Sequence, residues 1–235
     1  MQAAVVNFPG SNCDHDMVYA LGTILGMDVR EIWHKDALPP DYSIDNWVVL
    51  PGGFSYGDYL RCGAVARFSN VMHSVIDFAN RGGKVLGVCN GFQILCEAHL
   101  LPGVLLRNKD QNFICKNTYL SVQTNKTILT SSLSISEILE IPIAHAEGRY
   151  FADDSTLARL NANDQILFRY CDQNGEINDS ANYNGAMENI AGICNSRRNV
   201  FGMMPHPERA AEALLGNDDG LKILNNLLEN TAVLS

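Results

Sequence analysis

Apolar positions along the chain follow two rhythms. Short β-branched runs at residues 3–8, 29–33, 47–50 and 84–88 read as buried strands; the first stops at Pro9-Gly10 and the third at Pro51-Gly52-Gly53. Longer segments with helical spacing lie between them. Residues 14–26 form one, with Ser11, Asn12 or Asp14 available as N-cap. Residues 68–80 form the next, with Val71, Val75, Phe78 and Ala79 on one face, and residues 90–99 follow a strand through a sharp turn. Strand–helix alternation with wholly apolar strands predicts an α/β fold whose parallel sheet is covered on both faces.

The second half changes character. Strands are predicted at 113–123, 141–144, 165–170, 190–195 and 199–203, bounded by Asn/Gly-rich turns. A short helix is predicted at 155–161, and two more near 207–215 and 220–230. No repeat or linker interrupts the pattern, so residues 1–235 are expected to form a single domain.

Composition narrows the function classes. Lys plus Arg is 17 and Asp plus Glu is 26, a net charge of −9 that argues against nucleic acid or an anionic membrane as the main partner. No apolar run approaches the roughly 20 residues of a membrane span, and no charged leader precedes Pro9. The seven cysteines are odd in number and irregularly spaced, which suggests reduced thiols in the cytoplasm. None has the spacing of a zinc site, so no metal is expected.

The candidate chemistry begins at residues 84–93, Lys-Val-Leu-Gly-Val-Cys-Asn-Gly-Phe-Gln. A strand ends, Cys89 occupies the turn, and a helix starts at once, with Gly87 and Gly91 two residues away on each side. This G-x-C-x-G is the thiol counterpart of the G-x-S-x-G nucleophile elbow. A helix N-terminus behind the sulfur favours the reactive thiolate, and the amide of Asn90 points where an oxyanion would form. Taken alone, the motif is read equally well as a buried core cysteine.

Residues 200–209, Val-Phe-Gly-Met-Met-Pro-His-Pro-Glu-Arg, tip that balance. Extended backbone enforced by Pro205 and Pro207 puts His206 and Glu208 on one face, as base and orienting carboxylate for Cys89. His145, with Glu147 two residues on, ranks second and is expected in a loop that shapes the substrate pocket. His15, His73 and His99 fall in apparent helices and His34 in a loop. Cys13, Cys62, Cys96, Cys115, Cys171 and Cys194 lack a glycine-flanked turn and read as buried or incidental thiols. In the loop Pro51-Gly-Gly-Phe-Ser-Tyr-Gly-Asp58, Gly53, supported by Gly52, offers a second oxyanion donor. Ser55, Tyr56 and Asp58 are placed to line the adjoining pocket or a partner surface.

The stretches FPGSNCDHD, PGGFSYGDYLR, GVCNGFQIL, LLPGVLLRN, IAHAEGRY, NIAGI and MPHPERA together resemble the class I (triad) glutamine amidotransferases. The resemblance runs essentially end to end with the glutaminase subunits of phosphoribosylformylglycinamidine (FGAM) synthase. It implies a flavodoxin-like three-layer sandwich with an antiparallel extension. It implies Cys89 as nucleophile, His206 as base, Glu208 as third triad member, and Gln93, with Gly52 and His145, as substrate contacts for L-glutamine. It also implies partners: a large synthetase subunit that converts formylglycinamide ribonucleotide with ATP and Mg, and a small third subunit. No cofactor is expected in this chain itself. Ala146, Asn112, Cys62 and Cys96 depart from the usual pattern. The alternatives are a glutaminase subunit of another ATP-dependent synthetase, or a non-catalytic regulatory module of the same fold.

Overall fold

The computed structural model describes residues 1–228. In chain order the first half runs β1 (Gln2–Asn7), α1 (Asp14–Val18), β2 (Asp28–Trp33), β3 (Trp47–Leu50), α2 (Asn70–Asn80), β4 (Lys84–Val88) and α3 (Asn90–Glu97). The second half runs β5 (Val104–Leu106), β6 (Ile114–Val122), β7 (Ile138–His145), β8 (Arg149–Phe151), α4 (Asp154–Ala162), β9 (Ile166–Cys171), β10 (Ile190–Cys194), β11 (Val200–Met203) and α5 (Asp219–Leu224).

Nine strands form one sheet in the order β2-β1-β3-β4-β11-β10-β9-β6-β7. The first five are mutually parallel; from β11 onward every pairing is antiparallel. This is the α/β sandwich with an antiparallel extension expected from the sequence. Every residue of β3, β4, β10 and β11 is buried. Successive side chains point to opposite faces, so both faces of that central region must be covered. β2 closes one edge with Asp28, Arg30 and Glu31, charges that discourage further strand pairing. At the other edge β7 alternates half-buried and buried residues and carries Pro142, which an edge tolerates.

The strand order reverses at β1, with β2 on one side and β3 on the other. Open parallel sheets leave a crevice beyond the carboxyl ends at such a point. The Pro9–Cys13 turn follows β1, the Gly52–Gly53 turn follows β3, Cys89 follows β4, and His206 follows β11.

Several elements differ from expectation. The segment 14–26 is α-helical only through Val18 and then winds wider over Tyr19–Ile24, with Leu25 N bonded to Ala20 O at 3.1 Å. Its N-cap is Cys13, which makes no side-chain cap. The three expected caps have other duties: Ser11 Oγ accepts from Phe8 N, Asn12 Oδ1 from the Cys13 thiol, and Asp14 Oδ2 from Asn7 Nδ2. The expected helix at 207–215 is two separate 3₁₀ turns, Pro207–Arg209 and Ala213–Leu215. Leu214 and Leu215 lie exposed, so no apolar face is available to hold a longer helix down. The expected strand at 141–144 extends over the whole of β7. β5 and β8 pair as a separate two-stranded sheet, each too short for a periodic signal. The last two residues of the helix expected at 220–230 lie outside the described residues.

The start of β11 is fixed by Asn199, whose buried amide donates to Ala79 O and Gly83 O, both at 2.8 Å. Asn199→Ala leaves both carbonyls without this donor. We expect a loss of about 1–3 kcal/mol, read as a lower urea midpoint at unchanged slope.

Candidate active site

Cys89 sits where β4 turns into α3, with φ +50° and ψ −106°. A non-glycine residue held there is strained, and the surroundings must enforce it. They do so through close packing. A methyl group on Gly91 would run into the carbonyl oxygen of Leu50, so β3 lies flush against the turn only because residue 91 is glycine. The Cys89 amide donates to Met203 O at 2.8 Å, which ties the elbow to β11. The sulfur is 3.7 Å from Ala144 O and almost wholly buried. The first amides of α3, that of Asn90 included, have no acceptor within the helix and face an anion at its N-terminus favourably.

His206 and Glu208 meet on the turn after β11. Nδ1 of His206 lies 2.6 Å from Oε1 of Glu208, and both side chains are at most 1 % exposed. The extended backbone predicted from the flanking prolines is present at His206 (φ −101°, ψ 89°), and its amide donates to Pro142 O at 2.9 Å. Burial opposes a charge on the imidazole, but the Glu208 carboxylate, the Cys89 sulfur, and hydrogen bonds involving Cys13 and Cys89 outweigh it. His206 is raised well above its ordinary value. With Nδ1 committed to Glu208, the buried Nε2, which has no nitrogen or oxygen partner among the described residues, is left for the thiol. The structure thus brings Cys89, His206 and Glu208 together from two strand ends more than a hundred residues apart.

The Gly52–Gly53 loop lies against the Pro9–Cys13 turn. Phe54 N donates to Gly10 O at 3.0 Å and Cys13 N to Gly52 O at 3.4 Å; neither bond uses the Gly53 amide. Gly53 has φ +140°, and a methyl on Gly52 would stand 2.6 Å from Cε1 of His206. The imidazole therefore packs directly on the Gly52 backbone.

Gln93 lies one turn into α3, donates to Glu147 O at 2.6 Å and accepts from Asn90 Nδ2 at 2.8 Å. Asn90 Oδ1 accepts from Ser55 N at 3.1 Å, which couples the elbow to the glycine loop. Asp58 is raised above the ordinary carboxylate value by burial first, with the Glu147 charge adding to it. Tyr56 Oη meets His34 Nδ1 at 2.5 Å.

His145 ends strand β7 instead of occupying a loop, and it is enclosed, with Nδ1 3.1 Å from Asn108 Oδ1. Burial, then the nearby His206, depress it to about 4, so it is neutral near pH 7. Asn108, fully buried, also receives Gly148 N and donates to His145 O. His145 and Asn108 thus hold the 145–148 turn on which Gln93 leans. His15 and His73 are exposed on helices; His99 is exposed just beyond α3.

Two residues that the sequence places outside the site adjoin His206 and Glu208: Cys13, expected to be a buried or incidental thiol, and Arg209. Cys13 Sγ accepts from Arg209 Nη2 at 3.0 Å and lies within 4.8 Å of the ligand atoms of His206 and Glu208. A cysteine, histidine and carboxylate this close suit a metal in type. Here, however, the 2.6 Å gap between Nδ1 and Oε1 is a hydrogen bond, and a guanidinium rests on the sulfur; both favour a proton network over a cation. The available signals were FPGSNCDHD and the arginine directly after Glu208.

Comparisons with known proteins give the family. A family model described as a CobB/CobQ-like glutamine amidotransferase domain matches residues 1–219. Phosphoribosylformylglycinamidine synthase subunit PurQ of Moorella thermoacetica is 54 % identical over 229 residues, covering 97 % of this chain and 96 % of that one. The subunit of the same name from Trichormus variabilis is 49 % identical over 235 residues, all of both chains. A chain in the structure of PurLQS from Thermotoga maritima superposes with a TM-score of 0.84 at 43 % identity, covering 97 % of each. A glutamine amidotransferase from Thermotoga maritima, 14 % identical with a TM-score of 0.62 and covering 97 % and 96 %, shares the fold. The chain belongs to the CobB/CobQ-like glutamine amidotransferase family, in the branch of the phosphoribosylformylglycinamidine synthase PurQ subunits.

Proposed function

We propose that this chain is the glutaminase subunit of phosphoribosylformylglycinamidine synthase, with Cys89, His206 and Glu208 as its catalytic triad. The observation that carries the reading is the buried His206–Glu208 pair close to the sulfur of Cys89, which sits at a strained strand–helix elbow. An amide is a poor electrophile, so the site must supply both a strong nucleophile and charge stabilisation. The Cys89 thiolate attacks the side-chain carbonyl of L-glutamine, and the amides of Gly53 and Asn90 hold the oxyanion. Each such donor is worth about 2.7–4 kcal/mol. The imidazolium of His206 gives its proton to the departing ammonia, leaving a glutamyl thioester. Water then attacks the thioester, His206 accepts its proton, and glutamate leaves as the thiol is restored. Gln93, with the Gly52 backbone, orients the substrate; enclosed His145 supports the turn behind it.

The product ammonia is useful only unprotonated, so the acceptor must be close by. The loop from Phe54 to Leu60 borders the site and turns apolar side chains outward: Tyr59 is 74 % and Leu60 85 % exposed, and Phe54 stacks on exposed Phe113. This rim is the docking face for the large synthetase subunit, which carries out the ATP-dependent conversion of formylglycinamide ribonucleotide; a small third subunit completes the assembly. Among the described residues no helix is long and apolar enough to cross a membrane, and all seven cysteines are free.

In the assembled enzyme, Cys89→Ala should abolish glutamine-dependent product formation while ammonium salts still support it. Glutamine turnover that survives the substitution overturns the reading. Glu208→Gln removes the charge that most strongly raises His206, so the pH at which His206 loses its proton falls. The alkaline limb of kcat/KM should move to lower pH, with a loss of roughly 10²–10⁴-fold at the optimum. Leu60→Asp should weaken assembly by roughly tenfold or more, measured by titration with the synthetase subunit, and leave ammonia release by the isolated chain unchanged.

A further inference from the structure

The motif FPGSNCDHD and the arginine of MPHPERA have no part in the chemistry above, yet they meet beside it. Arg209 immediately follows Glu208. Its Nη2 donates to Cys13 Sγ at 3.0 Å, and its Nε donates to Asp16 Oδ2 at 3.1 Å. Cys13 is 3 % exposed; its thiol donates to Asn12 Oδ1 at 3.3 Å and its amide to Gly52 O at 3.4 Å. A methyl on Gly52 would stand 2.6 Å from His206 Cε1 and 3.2 Å from Cys13 Sγ, so sulfur, glycine backbone and imidazole edge share one small space.

Glu208 needs outside support. Its Oε1 holds His206, but its Oε2 is buried with no hydrogen-bond partner among the described residues. The turn that carries it is only three residues long, closed by Arg209 N on His206 O at 3.2 Å and Ala210 N on Pro207 O at 3.1 Å. What anchors this turn through side chains is the next residue, clamped to the start of α1.

We propose that Cys13, Asp16 and Arg209 form a brace that positions the His206–Glu208 pair against both Cys89 and the oxyanion loop. They are positioning residues; none touches the substrate. The proposal rests on the glutaminase reading above and adds to it the means by which the base is aimed. A half-buried guanidinium keeps its orientation only while its acceptors remain. Removing the sulfur frees one arm of Arg209 and opens space beneath the imidazole. The groups facing His206 are Glu208 on its own turn, Cys89 from the elbow, Cys13 from the start of α1 and His145 from β7; Arg209 flanks the turn. Cys13 favours the protonated ring, and its loss acts in the same direction as a misplaced Glu208.

The test uses the full synthetase complex, with ammonium-driven synthesis as the control for folding and assembly. Cys13→Val keeps the volume and removes the acceptor; Arg209→Met removes the donor; Cys13→Ser restores an acceptor. Cys13→Val and Arg209→Met should each lower kcat for glutamine by roughly tenfold to a hundredfold, with KM held within about twofold. Cys13→Ser should recover most of the loss. The alkaline limb for Cys13→Val should move to lower pH. The double variant should be no slower than the slower single one, as expected for two ends of one contact. If Arg209→Met does not fold, Cys13→Val and its serine counterpart decide the matter alone. Wild-type kcat in Cys13→Val, or equal loss in the ammonium-driven reaction, overturns the brace. Glutamine turnover by Cys89→Ala would instead overturn the glutaminase reading, so the two failures are distinct.

Discussion

A proton buried between Glu208 and His206 sets the terms for the rest of the molecule. Both side chains are shut off from bulk solvent, and a lone buried charge costs several kcal/mol. The carboxylate is tolerable because the imidazole can be cationic, and the imidazole is cationic because the carboxylate and the Cys89 sulfur stand beside it. The fold must therefore keep the three groups together and dry. It does so from both halves of the sheet. The parallel half supplies Cys89 at the end of β4 and His206 at the end of β11, which are adjacent strands in register. The antiparallel half curls until β7, last in the strand order, offers Pro142 O to the His206 amide.

Rigidity at Cys89 is bought with backbone strain, and the strain is local. Cys89 is held at positive φ by a bond to β11 on one side and by the flush approach of Leu50 to Gly91 on the other. A second group of positive-φ residues, Tyr56, Asp58 and Leu60, lies in the loop beyond the glycines. There the unusual backbone turns Tyr59 and Leu60 to solvent. One end of the sheet thus carries positive-φ backbone at two places, the elbow at Cys89 and the rim at Tyr56–Leu60.

The central strands and the elbow were legible because their signals are local. An apolar run of four or five residues between turn formers reads as a buried strand, and Gly87-Val-Cys89-Asn-Gly91 announces its own geometry. Signals failed where a residue's duty lies elsewhere. Ser11, Asn12 and Asp14 look like helix caps, but nearby backbone and side-chain donors use their oxygens first. The segment 207–215 has helix-forming residues, yet Arg209 is drawn to α1 and Leu214 meets no partner surface. His145 resembles a second base beside a glutamate, but Asn108, thirty-seven positions away, encloses it.

The amino-acid order alone determined the nine strands of the main sheet, where the chain must turn, and which thiol, imidazole and carboxylate were candidates for acyl transfer. All of these follow from side-chain period and from the backbone limits of glycine and proline, which act over a few residues. Only the tertiary structure decided which of these groups meet, that His145 is neutral and enclosed, and that Cys13 touches Arg209 across 196 positions. Contacts of that kind depend on strand order and on how far the sheet curls. Those are properties of the packed whole, with no counterpart in any short stretch of sequence.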